Sequence, residues 1–306
     1  MDRRIKFRHL DAFSAIARAR SLKRAAEQLN LSQPAISKTL KDLEAIVGTV
    51  LMERSRSGVH LTTQGEVFLQ FAEQSTAALR HGLRSVQAQG GAVGHLRVGA
   101  LPSVASHLLP TAVLEFCRVS PETLLELHEG PHHDLTARLR SGALDLVVGR
   151  LGNPDTMTGL GFRQLYAEEV VVVTRPDSPA ARVTSFANLG GFRVLYPPKD
   201  SAIRPLVARL LIAQGVALFE KRIETASSAF GRAMVLADSD IVWVISLGVV
   251  AADLRQGHLV RLAINTAATL GAIGVMTRAA EAPSAAARSF SQVLGRSTGE
   301  PGQGQR

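Results

Sequence analysis

Short polar and basic side chains follow one side of a predicted helix near the start of the chain. Gln33, Ser37 and Lys41 recur at helical spacing, and Pro34 and Lys38 lie beside them. Amide, hydroxyl and ammonium groups on a helix can hydrogen bond to base edges in the major groove of DNA and to the neighbouring phosphates. An ordinary solvated helix face has a similar composition, so this pattern alone leaves both interpretations open.

A second group of side chains with the same chemistry follows shortly afterwards. Residues 51–62 are typical of a short hairpin with a turn at Ser57-Gly58, and the hairpin contains Arg54 and Arg56. In a winged DNA-binding domain such a hairpin is the wing, and its arginines meet phosphates or the minor groove. The hairpin therefore favours the DNA-binding interpretation of the preceding helix.

Three predicted helices must position these groups. Ser21 and Ser32 are suited to cap the second helix, residues 22–29, and the third helix, which begins at Gln33. Pro34 fits the first turn of the third helix because its missing N–H costs little there. Apolar residues at helical spacing give this helix an inward face, namely Ile36, Leu40, Leu43 and Val47.

A long helix is predicted from Thr63 to about Gln89. Its start has the capping-box pattern, Thr63-Gln64-Gly65-Glu66, and at 1.5 Å per residue it would extend roughly 39 Å. An apolar seam follows the helix through Phe68, Phe71, Ser75, Leu79, Gly82 or Leu83, and Val86. An amphipathic helix of this length needs a packing partner, and a second copy of the same helix predicts a dimer.

The net charge is concentrated at the N-terminus. Residues 1–62 contain 12 of the 35 Lys and Arg but only 6 of the 26 Asp and Glu, so they carry +6 of the net charge of +9. A basic module on a nearly neutral body is typical of nucleic-acid binders, although arginine-rich proteomes give basic proteins of every function. The length of 306 residues predicts two or more domains.

Residues 21–66 resemble the signature of LysR-type transcriptional regulators. The matching stretches are Ser21-Leu22-Lys23-Arg24-Ala25-Ala26-Glu27-Gln28-Leu29, Leu31-Ser32-Gln33-Pro34-Ala35-Ile36-Ser37, Leu43-Glu44, Gly48, Leu51, Glu53-Arg54 and Leu61-Thr62-Thr63-Gln64-Gly65-Glu66. The resemblance implies a winged helix-turn-helix over residues 1–62 with its motif from Leu22 to Lys41, and a dimerisation helix over residues 63–93. It further implies a homodimer or homotetramer, promoter DNA with dyad half-sites, RNA polymerase as a partner, and a C-terminal effector domain. The candidate DNA contacts are Ser32, Gln33, Pro34, Ser37, Lys38, Lys41, Arg54 and Arg56.

The rest of the chain predicts an α/β body with largely parallel sheets. Gly90-Gly91-Ala92-Val93-Gly94 is a flexible domain boundary. The predicted strands are residues 96–101, 124–127, 144–149, 170–174, 194–196, 241–245, 259–262 and 273–276. The predicted helices are residues 106–118, 134–141, 203–214, 227–237 and 284–294.

The order of these segments suggests two lobes within an effector domain of residues 94–296. One lobe would hold about 95–165 and 267–296, and the other about 168–265. This organisation resembles the periplasmic-binding-protein-like effector domain of LysR-type regulators, in which a ligand occupies a cleft between the lobes. In open α/β sheets ligands lie beyond the carboxyl ends of strands, near helix N-termini.

The resemblance and the strand-end rule select candidate effector contacts. Those implied by the resemblance are Ser103, Val104, Pro131, Arg150, Pro197 and Ser201. Arg204 is added because it is cationic at a helix start, and Ser227 and Phe230 because they belong to a helix near the hinge. Arg150 and Arg204 in opposite lobes would suit a small carboxylate.

Each of the stronger candidates also has a purely structural interpretation. The hydroxyl of Ser103 could serve as a helix cap and nothing more. Arg150 could likewise serve just to pair with a carboxylate between the lobes. Arg204 could be a solvated surface residue. The sequence does not decide between these possibilities and effector binding.

A finer resemblance covers most of the chain in patches. The stretches Arg4-Ile5-Lys6-Phe7-Arg8-His9-Leu10, Val98-Gly99-Ala100-Leu101-Pro102, Leu144-Asp145-Leu146-Val147-Val148-Gly149-Arg150-Leu151, Ile223-Glu224-Thr225 and Phe230-Gly231-Arg232 are similar to the subgroup that controls protocatechuate catabolism. A closely similar branch regulates sugar-uptake genes. The resemblance implies an aromatic or carboxymuconate-type acid as effector, with a sugar as the alternative and no cofactor.

Other functions receive less support from the sequence. It lacks the nucleophile elbow, phosphate loop and dinucleotide fingerprint of common enzymes, and the adjacent His132-His133 lacks metal-ligand spacing. Cys117, the one cysteine, is expected to be a small buried apolar residue. No signal peptide or long apolar run is seen, which predicts a cytoplasmic protein rather than a solute-binding transport protein or a membrane protein. Residues 297–306 are expected to form a disordered tail.

Overall fold

The structure is a computed structural model that describes residues 4–55, 58–88, 94–279 and 281–298. The chain divides into an N-terminal unit, Met1–Ala92 with Arg140–Ala143, and a C-terminal unit, Val93–Leu139 with Leu144–Arg306. Three predictions fall partly outside the described residues: the boundary at Gly90-Gly91-Ala92-Val93, the end of the long helix at Gln89, and the tail beyond Thr298. Arg56 and Ser57 also lie outside them.

The N-terminal unit begins with three helices, followed by a hairpin and a long helix. Its elements are α1 (Phe7–Ala19), α2 (Leu22–Gln28), α3 (Gln33–Val47), β1 (Met52–Ser55), β2 (Gly58–Leu61) and α4 (Thr63–Ala88). The hydroxyl of Ser21 accepts from the N–H of Arg24 and that of Ser32 from the N–H of Ala35, so both serines cap helices as predicted. Ile36, Leu40 and Leu43 are buried against α1, which fixes the inward face of α3.

The start of α4 differs from the predicted capping box. Thr62, not Thr63, occupies the capping position, and its hydroxyl accepts from the N–H of Gly65 at 3.0 Å. A side chain is excluded at Gly65, because a Cβ there would clash with the carbonyl oxygen of Leu51. The helix begins at Thr63 as predicted, but its cap lies one residue earlier than the capping-box pattern suggested. The N–H that Thr62 accepts belongs to Gly65, which has no side chain to return the second bond of the box.

The C-terminal unit contains two five-stranded sheets. The first has strand order β4-β3-β5-β12-β6 and the second β11-β7-β10-β8-β9. The first-sheet strands are β3 (His95–Ala100), β4 (Leu124–Glu129), β5 (Leu146–Arg150), β6 (Leu160–Glu168) and β12 (Gly271–Arg278). The second-sheet strands are β7 (Val170–Thr174), β8 (Arg193–Tyr196), β9 (Arg222–Glu224), β10 (Ile241–Ser246) and β11 (Val260–Arg261).

Helices cover these sheets and bury their apolar faces. They are α5 (Pro102–His107), α6 (Leu109–Val119), α7 (His132–Arg140), α8 (Pro154–Met157), α9 (Arg204–Ala213), α10 (Ser228–Ala237), α11 (Leu247–Arg255) and α12 (Ala285–Ser297). In the first lobe α6 packs on α12, where the rings of Phe116 and Phe290 meet edge to face at 5.1 Å. Cys117 on α6 is exposed, which corrects its expected burial.

Two expectations about the body need correction. The sheets are mixed rather than largely parallel, because β12 runs antiparallel to β5 and β6, and β7 runs antiparallel to β10 and β11. These antiparallel pairs arise where the chain crosses between the lobes, after β6 and again before β12. The single helix predicted over residues 106–118 is two helices, since Pro110 lies in the first turn of α6 and has no N–H with which to continue α5.

Candidate nucleic-acid interface and ligand cleft

The outer face of α3 presents most of the polar residues that the sequence singles out. Its exposed side chains are Gln33, Pro34, Lys38 and Lys41. Ser37 is half-buried, and Ser32 uses its hydroxyl to cap α3. Because the opposite face of α3 is buried in the core, the exposed face has a fixed orientation.

Glu44 connects α3 to the base of the hairpin. Its Oε1 accepts from the backbone N–H groups of Leu51 and Met52, at 2.8 and 3.1 Å. Both donors belong to buried residues, so the carboxylate satisfies groups that water cannot reach. The sequence indicated Glu44 only as part of the family signature and missed this contact.

Two residues that face each other across the hairpin, Arg54 and Val59, make further contacts. The Nη2 of Arg54 donates to the hydroxyl of Ser37 at 2.9 Å, and the N–H of Val59 donates to the carbonyl of Arg20 at 3.0 Å. Arg54 and Ser37, which the sequence predicts as separate DNA contacts, therefore form one polar group. This group joins the wing to the exposed face of α3, called the recognition face below.

The first half of α4 packs on α1. The rings of Phe13 and Phe68 meet edge to face at 5.3 Å, and Arg18 pairs with the buried Glu73 at 3.1 Å. Several large apolar side chains of α4 remain exposed, namely Val67, Phe71, Leu79 and Leu83. These exposed side chains include three positions of the seam that the sequence predicts for a second copy.

A cleft opens at the carboxyl ends of the strands of the C-terminal unit. It receives the segments that follow β3, β4 and β5 from one lobe, and β8, β9 and β10 from the other. Its volume of about 190 Å³ is below the range of roughly 300–1,000 Å³ typical of drug-sized ligands, so the cleft suits a compact molecule. Six predicted effector contacts line it: Ser103, Pro131, Arg150, Pro197, Ser201 and Ser227.

Arg150 lies in the wall of this cleft and directs two hydrogen bonds into the protein. Its guanidinium donates to the carbonyls of Glu168 and Thr269, at 2.9 and 3.3 Å, and lies 3.7 Å from the carboxylate of Glu168. Glu168 and Thr269 belong to the two segments that cross between the lobes. The structure therefore gives Arg150 the pairing that the sequence left open. That pairing joins the two crossing segments, which together form the hinge between the lobes.

Glu168 is the charged partner that the sequence missed. One carboxylate oxygen accepts from the N–H of Gly248 at 2.8 Å, at the start of α11. Burial raises the pKa of Glu168, while the Gly248 N–H, Arg150 and the Ser103 hydroxyl act in the opposite direction. Gly248 itself has no space for a side chain, because a Cβ would lie 2.5 Å from both Glu168 and the Ser103 carbonyl.

Three other predicted effector contacts do not reach the cleft wall described here. Val104 is fully buried in the core of the first lobe. Arg204 pairs with Glu224 at 3.1 Å and lies over the ring of Tyr196, and Phe230 points its ring to the exposed side of α10. The guanidinium of Arg204 is thus neither solvated, as one interpretation held, nor in the cleft.

The cleft contains residues that the sequence did not single out. Trp243 and Ile245 form an apolar wall, and Ser228 and Ser246 add hydroxyl groups in the same lobe. Alternation along β10 could have indicated which of its side chains face the cleft, but a strand with continuous apolar residues hides that alternation.

The two adjacent histidines have different surroundings. His132 is buried in the cleft wall, whereas His133 is exposed. Within the ranges that the structure describes, no group of three His, Cys, Asp or Glu side chains could hold a metal ion. Over those same ranges no helix is both long and apolar enough to cross a membrane.

Comparisons with known proteins agree with this architecture. Residues 7–66 match the family described as bacterial regulatory helix-turn-helix protein, lysR family, and residues 89–298 match the LysR substrate binding domain. The chain is 42% identical to the HTH-type transcriptional regulator PcaQ of Agrobacterium fabrum over 303 residues, which cover 98% of this chain and 97% of PcaQ. It is 36% identical to the uncharacterised HTH-type transcriptional regulator YdcI of Escherichia coli, covering 90% of each. Full-length CbnR, solved in complex with its target DNA, has a TM-score of 0.51 and 25% identity, covering 96% of this chain and all of CbnR.

Proposed function

The chain belongs to the LysR family of bacterial transcriptional regulators, and on that premise we propose that it is a protocatechuate-pathway regulator switched by a small carboxylic acid. Regulators of this family bind DNA as oligomers and respond to small-molecule effectors. The N-terminal unit supplies the DNA-binding surface, and the cleft of the C-terminal unit receives the effector. We place the protein in the cytoplasm, where its DNA and RNA polymerase are found.

The exposed face of α3 is the observation that supports the mode of DNA binding. Gln33, Ser37 and Lys41 present amide, hydroxyl and ammonium groups, and Glu44 and Arg54 hold the wing beside them. In a dimer built on α4, two copies of α3 would enter successive major grooves about 34 Å apart. Lys38 and Lys41 would supply attraction to any duplex, and Gln33 would discriminate among bases.

The size and lining of the cleft support a compact acid as the effector. Trp243 and Ile245 offer apolar surface to a ring or a conjugated chain, and hydroxyls at Ser103, Ser201 and Ser228 offer polar contacts. The identity of 42% to PcaQ over nearly the whole chain favours the protocatechuate subgroup over the sugar-responsive alternative. The proposed effectors are therefore protocatechuate, a related aromatic acid, or a carboxymuconate-type product of ring cleavage.

Ligand binding would act by favouring one arrangement of the oligomer over another. The required difference in affinity is modest, since coupling free energies between sites are typically ~1–3 kcal/mol. A changed arrangement would alter the spacing of the two copies of α3 or the bend in the DNA. Recruitment of RNA polymerase would change as a consequence.

Two measurements on the full-length protein test this proposal. The first is fluorescence anisotropy with a duplex that carries dyad half-sites, in which the logarithm of the association constant should fall linearly with the logarithm of salt concentration. The second is a thermal-shift screen of aromatic acids, ring-cleavage acids and sugars, because a ligand of the native state raises its apparent stability. Absence of duplex binding would contradict the DNA-binding role, and stabilisation by sugars alone would contradict the proposed effector class.

A further inference from the structure

We propose that the hydroxyls of Ser228 and Ser246 bind the carboxylate of the effector, in place of the arginines that the sequence suggests. The inference deepens the proposed function and rests on the cleft being the effector site. Both serines line the cleft in the second lobe, beside Trp243. Both lie at the start of a helix that another residue caps, so neither hydroxyl is used as a cap.

Ser228 follows the residue that caps α10. The hydroxyl of Ser227 accepts from the N–H of Phe230 at 3.2 Å, so the start of the helix is already capped. The hydroxyl of Ser228 is buried and has no hydrogen-bond partner among the described residues. A buried hydroxyl without a partner destabilises the folded protein, so an unpaired group in a cleft wall indicates a place where a ligand supplies the partner.

Ser246 occupies the capping position of α11 but does not cap it. The residue is only 7% exposed, and its hydroxyl makes no capping bond. Glu168 performs that role, since its Oε1 accepts from the N–H of Gly248, and the N–H of Leu247 donates to the carbonyl of Glu169. The carboxylate from the hinge thereby releases the serine hydroxyl toward the cleft.

The two arginines that the sequence suggested as ligand contacts are already paired within the protein. Arg150 is paired with Glu168 and with two hinge carbonyls, and Arg204 is paired with Glu224 outside the cleft wall. α10 and α11 also begin at Ser228 and Leu247, so the partial positive charge of each helix N-terminus lies next to one of these hydroxyls. Hydrogen bonds from two hydroxyls in this field would hold a carboxylate without a separate counter-ion.

Quenching of the fluorescence of Trp243, which is the chain's one tryptophan, provides the test. Full-length wild-type protein, S228A, S246A and the double variant would be titrated with 3,4-dihydroxybenzoate, with 3-carboxy-cis,cis-muconate, and with catechol, which lacks the carboxylate. S284A is the matched control, because Ser284 caps α12 through the N–H of Ala287 and is not part of the cleft wall. Melting temperatures of the ligand-free proteins would be recorded in parallel.

Each cleft variant should weaken binding of at least one acid by about tenfold or more and leave any binding of catechol unchanged, since each removes a hydrogen bond to a charged group. Neither variant should lower the melting temperature of the ligand-free protein, whereas S284A should lower it without changing acid affinity. If wild type binds an acid and both cleft variants bind it within twofold of wild type, this inference is wrong while the proposed effector class stands. If wild type binds neither acid, the effector class and this inference are both overturned.

Discussion

The exposed face of α3 and the cleft of the C-terminal unit differ in whether their cationic side chains are exposed or paired. On α3 the predicted contacts Lys38 and Lys41 are exposed and extend from a helix whose other face is buried. In the cleft the predicted contact Arg150 is 5% exposed and bonded to the hinge, and Arg204 stacks on Tyr196 and pairs with Glu224. In the first region the cations are exposed to solvent, whereas in the second they bond to other groups of the protein.

The difference follows from the solvent around each group. An exposed ammonium keeps its hydration until a phosphate replaces the water, and the released counterions then favour binding. A guanidinium in the wall of a narrow cleft has lost much of its water before any ligand arrives, so folding must supply partners for it. A cation in the wall of a cleft is therefore weaker evidence that an anionic ligand binds there than a cation on an exposed basic helix face.

The largest expected effect comes from Arg150→Ala. The change leaves the carboxylate of Glu168 buried without its cation and removes two bonds that tie the crossing segments together. The free energy of unfolding of the C-terminal unit should fall by about 3–5 kcal/mol, as is typical when one partner of a buried pair is removed. Urea denaturation followed by Trp243 fluorescence measures the loss.

The double variant R150A/E168Q sharpens this test. Because it also removes the unpaired carboxylate, it should recover part of the stability that R150A loses. If R150A unfolds like wild type but no longer responds to the effector, Arg150 is a ligand contact and the contrast between the two regions disappears.

The next effect concerns Gln33 and Lys41 on the recognition face. Gln33→Ala should reduce discrimination between the correct base pair and a substituted one by about 1–3 kcal/mol. Lys41→Ala should weaken binding to all duplexes and lower the magnitude of the salt slope by about 1. Anisotropy titrations on matched and mutated half-sites at several salt concentrations separate the two. Uniform weakening by Gln33→Ala would show that Gln33 does not read bases.

The contrast also explains which parts of the structure the sequence could predict. The elements around α3 are local: Ser21 and Ser32 cap the helices that follow them, and apolar spacing gives the buried face. The family signature lies in the same short stretch, so the helices and the wing could be placed residue by residue.

The cleft depends on contacts between distant residues, which spacing does not reveal. Arg150 meets a carbonyl 119 residues away, and the Glu168 carboxylate meets an N–H 80 residues away. The strand-end rule correctly brought Ser103, Pro131 and Ser201 to the cleft, because it follows from topology alone. It could not show that Glu168 replaces Ser246 as a helix cap, or that Arg204 turns toward Glu224.

Glu44→Ala tests whether the wing is held by α3 as the structure indicates. Removing the carboxylate leaves the N–H groups of Leu51 and Met52 without their acceptor, which should cost about 1–3 kcal/mol of stability. E44Q keeps an amide oxygen in the same place and should stay close to wild type in thermal denaturation. DNA affinity should follow the same order. Equal stability of E44A and wild type would mean that the wing does not depend on this contact.

The smallest expected effect is a pair of opposite pH dependences at neighbouring carboxylates in the hinge. Burial raises the pKa of Glu168, so its contribution to stability is present below its unfolded value near 4.5 and is lost as pH rises through the folded value. The bond from Arg261 lowers the pKa of Glu169, so its contribution is present above the unfolded value and is lost as pH falls.

Denaturation of wild type, E168Q and E169Q across the acidic range isolates each contribution as a difference from wild type. The stability of wild type relative to E168Q should fall with rising pH, and that relative to E169Q should rise. Slopes of the same sign would show that Glu168 is not the desolvated charge that distinguishes the cleft from the DNA-binding face.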